Sequence, residues 1–280
     1  MLFLLAMALG AAEPCGVVRQ PVANMYSAAA EQADVVSQAI YGNSIVLLKE
    51  QGGWAKVRTA DDYIGWMPET SFRRVAAGRK PYATEGRVAQ VEALFANLYR
   101  EPDVTRHQPA LTLPFETRLE ILAEPEDNPR WLEVRLVDGG AAWVQRGDLA
   151  FEGAAMPLPA LISLSKRFLG LPYLWGGTST FGYDCSGFVQ MLCRRRGVII
   201  PRDAHPQAGW SGFVPVERNN LQPGDLLYFG QPAGKITHAG MYLGDGQFIS
   251  ATTHNQPVVR IDRLDDPYWS QRFVAARRLK

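Results

Sequence analysis

The sequence predicts a multidomain protein in which two small all-β barrels precede an α+β domain. The chain has 280 residues, more than one average domain. Two segments within the first 151 residues resemble each other, and after residue 160 the pattern changes to helix candidates followed by short strand-like runs. Apolar residues make up 47% and charged residues 20%, so the chain can bury a substantial core.

The first two predicted domains are an internal repeat, residues 17–75 and 88–151, with linkers at 76–87 and 152–160. Each repeat has short β-branched and aromatic runs between Gly, Asn and Asp turns, which is typical of a small β barrel. The pattern W-x-x-V-R, followed by a second tryptophan and Met or Val, resembles bacterial SH3-like (SH3b) domains. The tryptophans recur at an offset of 77 residues: Trp54 with Trp131, and Trp66 with Trp143.

Residues 161–280 form the third predicted domain. A helix candidate, Leu161 to Leu169, ends at Gly170, and a second runs from Cys185 to Arg196. Helices first and strands after indicate an α+β arrangement. The strand candidates follow: Leu226–Phe229, Ala239–Leu243, Gln247–Thr252 and Val258–Ile261.

Charge and cysteine content exclude several kinds of partner and site. The net charge is only +1, so nucleic acid is not expected as a partner. The one dense basic run, 194–196, closes a predicted helix, where cations suit the negative end of the dipole. Three cysteines cannot all pair internally and are too few for a disulfide scaffold.

The N-terminal residues 1–16 contain an apolar run, LFLLAMALGAA, of about the length of a signal-peptide core. The run is too short to span a bilayer, so no transmembrane span is expected. It predicts export, although no Lys or Arg precedes it and AEPC does not fit a lipoprotein acylation site. The alternatives are a true start lying upstream and a cytoplasmic protein.

The chemistry centres on the stretch FGYDCSGFVQMLCRRRG. On one helix, Cys185 and Cys193 would lie about 12 Å apart, too far for a disulfide. No spacing supports a metal site, and no cofactor is expected. Cys193 lies among apolar residues and is predicted to be core, whereas Cys185 takes the first helical position. The helix N-terminus is expected to lower the pKa of its thiol, and small Ser186 and Gly187 to leave room for a substrate.

A reactive cysteine needs a base. His107 and His205 fall in predicted loops, where a surface role is favoured. His238 opens the strand-like run HAGMYLGDGQFISATTH and is the predicted general base for Cys185.

The spaced motifs PYLWGG, DCSGFVQ, LQPGDLLYF and HAGMYLGDGQFI resemble the NlpC/P60 cysteine peptidases over about residues 160–280. The resemblance implies a papain-like fold that cuts cell-wall peptides. Two SH3b units and the motif PRDA (201–204) resemble the YkfC-like branch, which cleaves γ-D-glutamyl–L-diamino acid bonds.

The resemblance also implies roles for individual residues. Cys185 would be the nucleophile and His238 the base, and the Tyr173 hydroxyl would help to hold the oxyanion. Asp203 would bind the free α-amine of an N-terminal L-Ala. The remaining implied substrate contacts are Trp175, Asp184 and Ser186 in the groove, with Tyr63 and Glu31 contributed by the first barrel.

The residue that orients His238 is where this sequence departs from the family, which places a His or another polar residue twelve positions after the base. Here Ser250 stands there. If residues 244–246 form a three-residue hairpin loop, Leu243 pairs with Gln247 and His238 faces position 252. Ser250 and His254 then share the face of His238. Both remain candidates for the orienting residue.

These observations predict a monomeric cysteine endopeptidase acting on γ-D-glutamyl–diamino acid bonds of peptidoglycan peptides with a free N-terminal L-Ala. Export implies a periplasmic or extracellular, cell-wall-associated location. Two alternatives stay open: a non-catalytic cell-wall-binding protein with a degenerate papain-like domain, and a papain-like amidase or acyltransferase. The identity of the diamino acid, diaminopimelate or Lys, is left open.

Overall fold

The computed structural model describes residues 15–76, 78–151, 155–231 and 235–280. The predicted signal-like segment therefore lies outside the described residues, apart from positions 15 and 16, which belong to the first strand. No helix in the described part of the chain is long and apolar enough to cross a membrane.

The first unit is a seven-stranded antiparallel sheet with strand order β3-β2-β6-β5-β4-β1-β7. Its strands alternate buried and half-exposed residues, as Ala55 and Val57 do in β5. A 3-10 turn, Glu69–Ser71, precedes the last strand. The strands are β1 (Cys15–Val18), β2 (Val22–Tyr26), β3 (Val35–Ile40), β4 (Ser44–Gln51), β5 (Trp54–Arg58), β6 (Ile64–Pro68) and β7 (Phe72–Arg74).

The second unit repeats this topology strand for strand, in the order β10-β9-β13-β12-β11-β8-β14. The edge-on contact of Tyr26 with Trp54 recurs between Tyr99 and Trp131, at ring-centroid distances of 5.3 and 5.5 Å. The predicted internal repeat is thus present in three dimensions. The strands are β8 (Val88–Val91), β9 (Phe95–Tyr99), β10 (Leu111–Pro114), β11 (Arg118–Ala123), β12 (Trp131–Arg135), β13 (Ala141–Gln145) and β14 (Leu149–Ala150).

The third unit packs helices against a six-stranded sheet with strand order β17-β22-β18-β19-β20-β21. A small hairpin, β15–β16, precedes the second helix. The helices are α1 (Leu158–Lys166), α2 (Cys185–Arg195), α3 (Ala204–Ala208) and α4 (Pro267–Ser270). The strands are β15 (Thr178–Ser179), β16 (Gly182–Tyr183), β17 (Phe213–Val216), β18 (Leu226–Gly230), β19 (Ile236–Gly244), β20 (Gln247–Thr252), β21 (Val258–Arg263) and β22 (Phe273–Leu279).

The elements differ from the predicted ones mainly at their ends. Helix α1 begins three residues early, inside the predicted linker, because Pro159 fits the first turn of a helix. Helix α2 and strand β20 lie where they are predicted. The strands β17 and β22 have no predicted counterpart.

The hairpin that joins β19 and β20 has the predicted register but a different turn. Met241 pairs with Ile249 and Tyr242 with Phe248, which places Ile249 and Ala251 in the same core as Met241. The turn itself has two residues, because Gly244 pairs with Gln247 and positions 245 and 246 both have positive φ. A bulge at position 243 restores the register that this shorter turn would otherwise shift.

Two arginines of the basic run, at the end of α2, form ion pairs with the second unit. Arg194 pairs with Glu116 at 2.7 Å and Arg195 with Glu92 at 3.0 Å, and both glutamates belong to the second unit. Phe115 of the same unit joins the core of the third unit, 5.3 Å from the ring of Phe168. These contacts fix the C-terminal half of α2 to the second sheet.

Candidate active site

The candidate nucleophile stands at the beginning of α2. Cys185 is the first helical residue, and the Asp184 carboxylate caps the helix by accepting the Gly187 N–H at 2.7 Å. The lack of a side chain at Gly187, predicted to leave room for a substrate, instead leaves room for a neighbouring loop. A Cβ there would lie 2.2 Å from the carbonyl oxygen of Gly177, so the missing side chain makes room for the glycine-rich loop.

Asp184 and Ser186, predicted to line the substrate groove, are only 7% and 5% exposed. The Asp184 carboxylate also accepts from the Gly176 N–H at 3.0 Å and from two nitrogens of the Arg202 guanidinium, at 3.0 and 2.6 Å. The Ser186 hydroxyl accepts from the same guanidinium at 2.9 Å. Both side chains are therefore engaged with the protein, and their contact with a substrate stays a prediction.

The thiol of Cys185 lies against β19. Its Sγ is 3.9 Å from the carbonyl oxygen of Thr237. Burial, followed by the negative charge of Asp184, raises the pKa of this thiol to about 12 and outweighs the lowering by the N–H groups of Ala239 and Ser186. The predicted net lowering is wrong, because the dipolar groups at the helix start do not compensate for the desolvation of a thiolate.

His238 sits on β19 between the two residues whose backbones reach the Cys185 sulfur. Its ring packs 4.8 Å from the indole of Trp269 and 5.8 Å from the ring of Phe229. Burial, and next the nearby His254, lower the pKa of His238 to about 3. Both shifts favour the neutral forms, the imidazole of His238 and the thiol of Cys185.

The structure places Ser250 on the imidazole of His238, and His254 elsewhere. The Ser250 hydroxyl, fully buried, is 3.0 Å from His238 Nε2. His254 instead lies beyond the end of β20 and stacks on Tyr268, with ring centroids 3.7 Å apart and planes 8° from parallel. Of the two candidate orienting residues, only Ser250 has a hydrogen bond to His238.

Tyr173 and Trp175 lie in the segment between α1 and β15 that leads to α2. Burial raises the pKa of Tyr173, and the charges that Cys185 and Asp184 can carry add to this rise. Trp175 is 69% exposed, so its indole is a large apolar surface open to solvent. The roles that the resemblance implies for both residues stay predictions.

Tyr63 and Asp203, two of the predicted substrate contacts, interact across the first and third units. The Tyr63 hydroxyl donates a hydrogen bond to the Asp203 carboxylate. Asp203 precedes α3 without capping it through its side chain, and it remains exposed. Although the residue is exposed, the partial burial of its carboxylate between Tyr63 and Arg202 raises the pKa of Asp203, and the charge of Arg202 opposes this rise. Glu31 lies exposed in the turn between β2 and β3.

Two residues of this centre have no sequence-based prediction. Arg202 is 2% exposed although it lies in a loop, where an arginine is ordinarily solvated. Trp269 is equally buried against His238. The only available signal for Arg202 is its place directly before Asp203 in PRDA, and that motif does not reveal burial.

Among the residues that the structure describes, no group of three or more His, Cys, Asp and Glu side chains could hold a metal ion. Cys15, Cys185 and Cys193 are all free thiols, and Cys193 is buried in the core, as predicted.

Known proteins share these features. Residues 170–278 match the NlpC/P60 family, and residues 25–72 match the bacterial dipeptidyl-peptidase Sh3 domain. The γ-D-glutamyl-L-lysine dipeptidyl-peptidase of Bacillus cereus (strain ATCC 10987 / NRS 248) is 35% identical over 259 residues, which are 86% of this chain and 74% of that protein. The Bacillus subtilis (strain 168) protein of the same name is 30% identical over 254 residues, 87% and 81% of the two chains.

The similarity extends to a solved structure. The crystal structure of an NlpC/P60 family protein from Bacillus cereus ATCC 10987 superposes with a TM-score of 0.81 at 27% sequence identity. The superposition covers 95% of this chain and 99% of that one. The order of all three units is therefore shared with a known protein.

Proposed function

The chain belongs to the NlpC/P60 family, and we propose that it is a cysteine endopeptidase that hydrolyses γ-D-glutamyl–diamino acid bonds in peptidoglycan peptides with a free N-terminal L-Ala. One observation supports this proposal above the others. Cys185 begins a helix against the strand that carries His238, and the imidazole of His238 is in turn held by Ser250.

Acylation in this site starts from the neutral pair. As Cys185 attacks the γ-carbonyl carbon, its thiol proton passes to His238. The oxyanion that forms is stabilised by the Tyr173 hydroxyl and the Cys185 N–H, which has no acceptor within the helix. His238 then protonates the leaving amine of the diamino acid as the carbon–nitrogen bond breaks, and a thioester remains.

Deacylation reverses these proton transfers. His238 takes a proton from water, whose oxygen attacks the thioester carbonyl. The carbon–sulfur bond breaks and the thiol of Cys185 is restored by the proton. The released product ends in D-Glu with a free γ-carboxylate. Ser250 keeps the imidazole in one orientation through both steps.

Asp203 supports a preference for a free amino terminus. An exposed carboxylate beside the active centre attracts an ammonium group, and the Tyr63 hydroxyl fixes its direction. Since Tyr63 belongs to the first unit, that unit forms a wall of the substrate site. We propose Glu31 and Trp175 as outer contacts of the same site.

We also propose that the two seven-stranded sheets are SH3-like barrels and that the protein acts as an exported monomer. The repeated strand order supports two barrels, and the family match to residues 25–72 supports the first. Fractionation of cells and light scattering of the purified protein test the location and the oligomeric state.

The decisive experiment uses L-Ala-γ-D-Glu-L-Lys and its diaminopimelate counterpart as substrates. Wild-type protein should release L-Ala-D-Glu, detected by mass spectrometry, and Cys185→Ala should release none. Cys193→Ala is the matched control, because it removes a thiol from the same helix without touching the active centre, and it should cleave normally. Absence of cleavage by the wild type, or equal cleavage by Cys185→Ala, contradicts the proposal.

A further inference from the structure

Arg202 is a buried cation in the active-site region, and its guanidinium donates hydrogen bonds to residues of both the third and the first unit. Within the third unit it binds both carboxylate oxygens of Asp184, at 3.0 and 2.6 Å, and the Ser186 hydroxyl at 2.9 Å. Toward the first unit, its Nε donates to the hydroxyl of Ser37 at 3.1 Å. Ser37 lies on β3 and is itself 2% exposed.

The two residues that Arg202 binds in the third unit flank the nucleophile. Asp184 caps α2 immediately before Cys185, and Ser186 follows it immediately after. A buried carboxylate needs a charge partner with good hydrogen-bond geometry. Arg202 supplies it, so the direction of the first helical turn, and with it the position of the sulfur, depends on this one side chain.

Strand β3 also contacts the segment that precedes α2. The side-chain oxygen of Gln38 accepts the backbone N–H of Thr178 at 3.1 Å, and the Gln38 carbonyl accepts the Thr178 hydroxyl at 3.2 Å. Val35 packs so closely on Gly176 that a Cβ there would lie 2.9 Å from Val35 Cγ1. The first unit therefore contacts both the loop before Cys185 and the arginine beneath it.

The arrangement requires an arginine in particular. A planar guanidinium can serve a carboxylate with two parallel N–H groups and still direct a third toward Ser37. A lysine ammonium would keep the charge, but it cannot hold all of these acceptors at once. The charge of Arg202 also opposes the effect of Asp184 on the thiol, since Arg202 lowers the pKa of Cys185 and Asp184 raises it.

We infer that Arg202 is a positioning residue through which the first β-sheet unit holds Cys185 in its reactive place. The first unit then contributes to the chemical step as well as to the substrate wall at Tyr63. The predicted effect on kcat rests on the proposed function, because kcat is measured as peptide cleavage.

The test compares Arg202→Lys and Ser37→Ala with wild type in the full-length protein. With L-Ala-γ-D-Glu-L-Lys, Arg202→Lys should lower kcat about tenfold or more, because a misplacement of about 1 Å costs on the order of a hundredfold. KM should stay within about twofold, since Asp203 and Tyr63 are unchanged. Ser37→Ala should lower kcat in the same direction by about threefold, because it removes one hydrogen bond to the charged group. Arg194→Lys, which alters the contact with the second unit, is the matched control and should change neither constant.

A second measurement needs no substrate. Hydrogen–deuterium exchange of the peptide that contains residues 184–188 should be faster in Arg202→Lys and in Ser37→Ala than in wild type, and unchanged in Arg194→Lys. Unchanged kcat, or unchanged exchange in this peptide, overturns the inference. If the wild type cleaves neither peptide, the proposed function fails, and the exchange result still decides whether Arg202 positions the helix start. If Arg202→Lys does not fold, Ser37→Ala decides in its place.

Discussion

Acidification tests whether the resting site holds a neutral imidazole. Burial of the half-exposed His238 ring, and next the charge of His254, lower its pKa to about 3 in the folded protein from an ordinary value of 6.5. At pH values between 3 and 6.5, His238 binds a proton in the unfolded chain but not in the folded chain. The resulting contribution to stability is present above pH 6.5 and is lost as the pH falls toward 3.

The magnitude follows from the distance between pH 5.0 and the unfolded pKa. Each pH unit below 6.5 removes about 1.4 kcal/mol, so His238 lowers the free energy of unfolding by about 2 kcal/mol at pH 5.0 relative to pH 7.5. The variant His238→Gln retains a polar side chain that does not titrate. It should therefore lose about 2 kcal/mol less than wild type over the same interval.

The assay is urea unfolding of both proteins at pH 7.5 and pH 5.0, followed by tryptophan fluorescence. The other three histidines are present in both proteins, and their contributions largely cancel in the comparison. Equal losses of stability in the two proteins would refute the reasoning. An NMR titration in which the His238 imidazole becomes protonated near pH 6.5 would do the same.

Three further predictions concern the same centre. Ser250→Ala should lower kcat by on the order of tenfold, because the imidazole loses the hydrogen bond that orients it. His254→Ala should stay within about twofold, and steady-state kinetics separates the two. Gly187→Ala should lower Tm by about 5 °C or more, because the added methyl group would lie 2.2 Å from the Gly177 oxygen. Gly147→Ala is the control: its added methyl group would have nothing within 4 Å, and Tm measured by calorimetry should be nearly unchanged. KM for the free-amine peptide should rise as the pH falls through the raised pKa of Asp203, because the protonated carboxyl no longer attracts the ammonium group. Asp203→Asn should remove this pH dependence of KM. An equal rise of KM in the variant would show that another group causes it.

The hairpin shows how far local pattern reaches. Residues 248–252 of β20 are all buried, but on two different faces: Ile249 and Ala251 join Met241 in one core, and Phe248 packs in another. The predicted register is the one that puts Ile249 and Ala251 with Met241, because a shift by one position would exchange the two faces. The type of turn cannot be predicted in the same way. A two-residue turn with a bulge and a three-residue loop both give the same pairs of residues over most of the hairpin, so the pattern along the strands does not distinguish them. Here the backbone at positions 245 and 246 adopts the first solution.

The choice of orienting residue required the folded chain. The register places Ser250 and His254 on one side of the sheet, but His254 follows the last residue of β20, where the chain leaves the strand. Stacking on Tyr268, which is 14 positions further along, then draws its ring away from His238. No periodicity in the sequence contains that contact.

The sequence by itself determined the repeat, the helix that begins at Cys185, and the strand that carries His238. Each depends on residues close together in the chain: turn residues, a capping carboxylate and an alternating pattern. Only the tertiary structure decided the pKa of the thiol and of the imidazole, the burial of Arg202 and its bond to Ser37. These depend on desolvation and on charges contributed by segments far apart in the chain, 165 positions apart for Arg202 and Ser37, and such effects arise only when the units pack together.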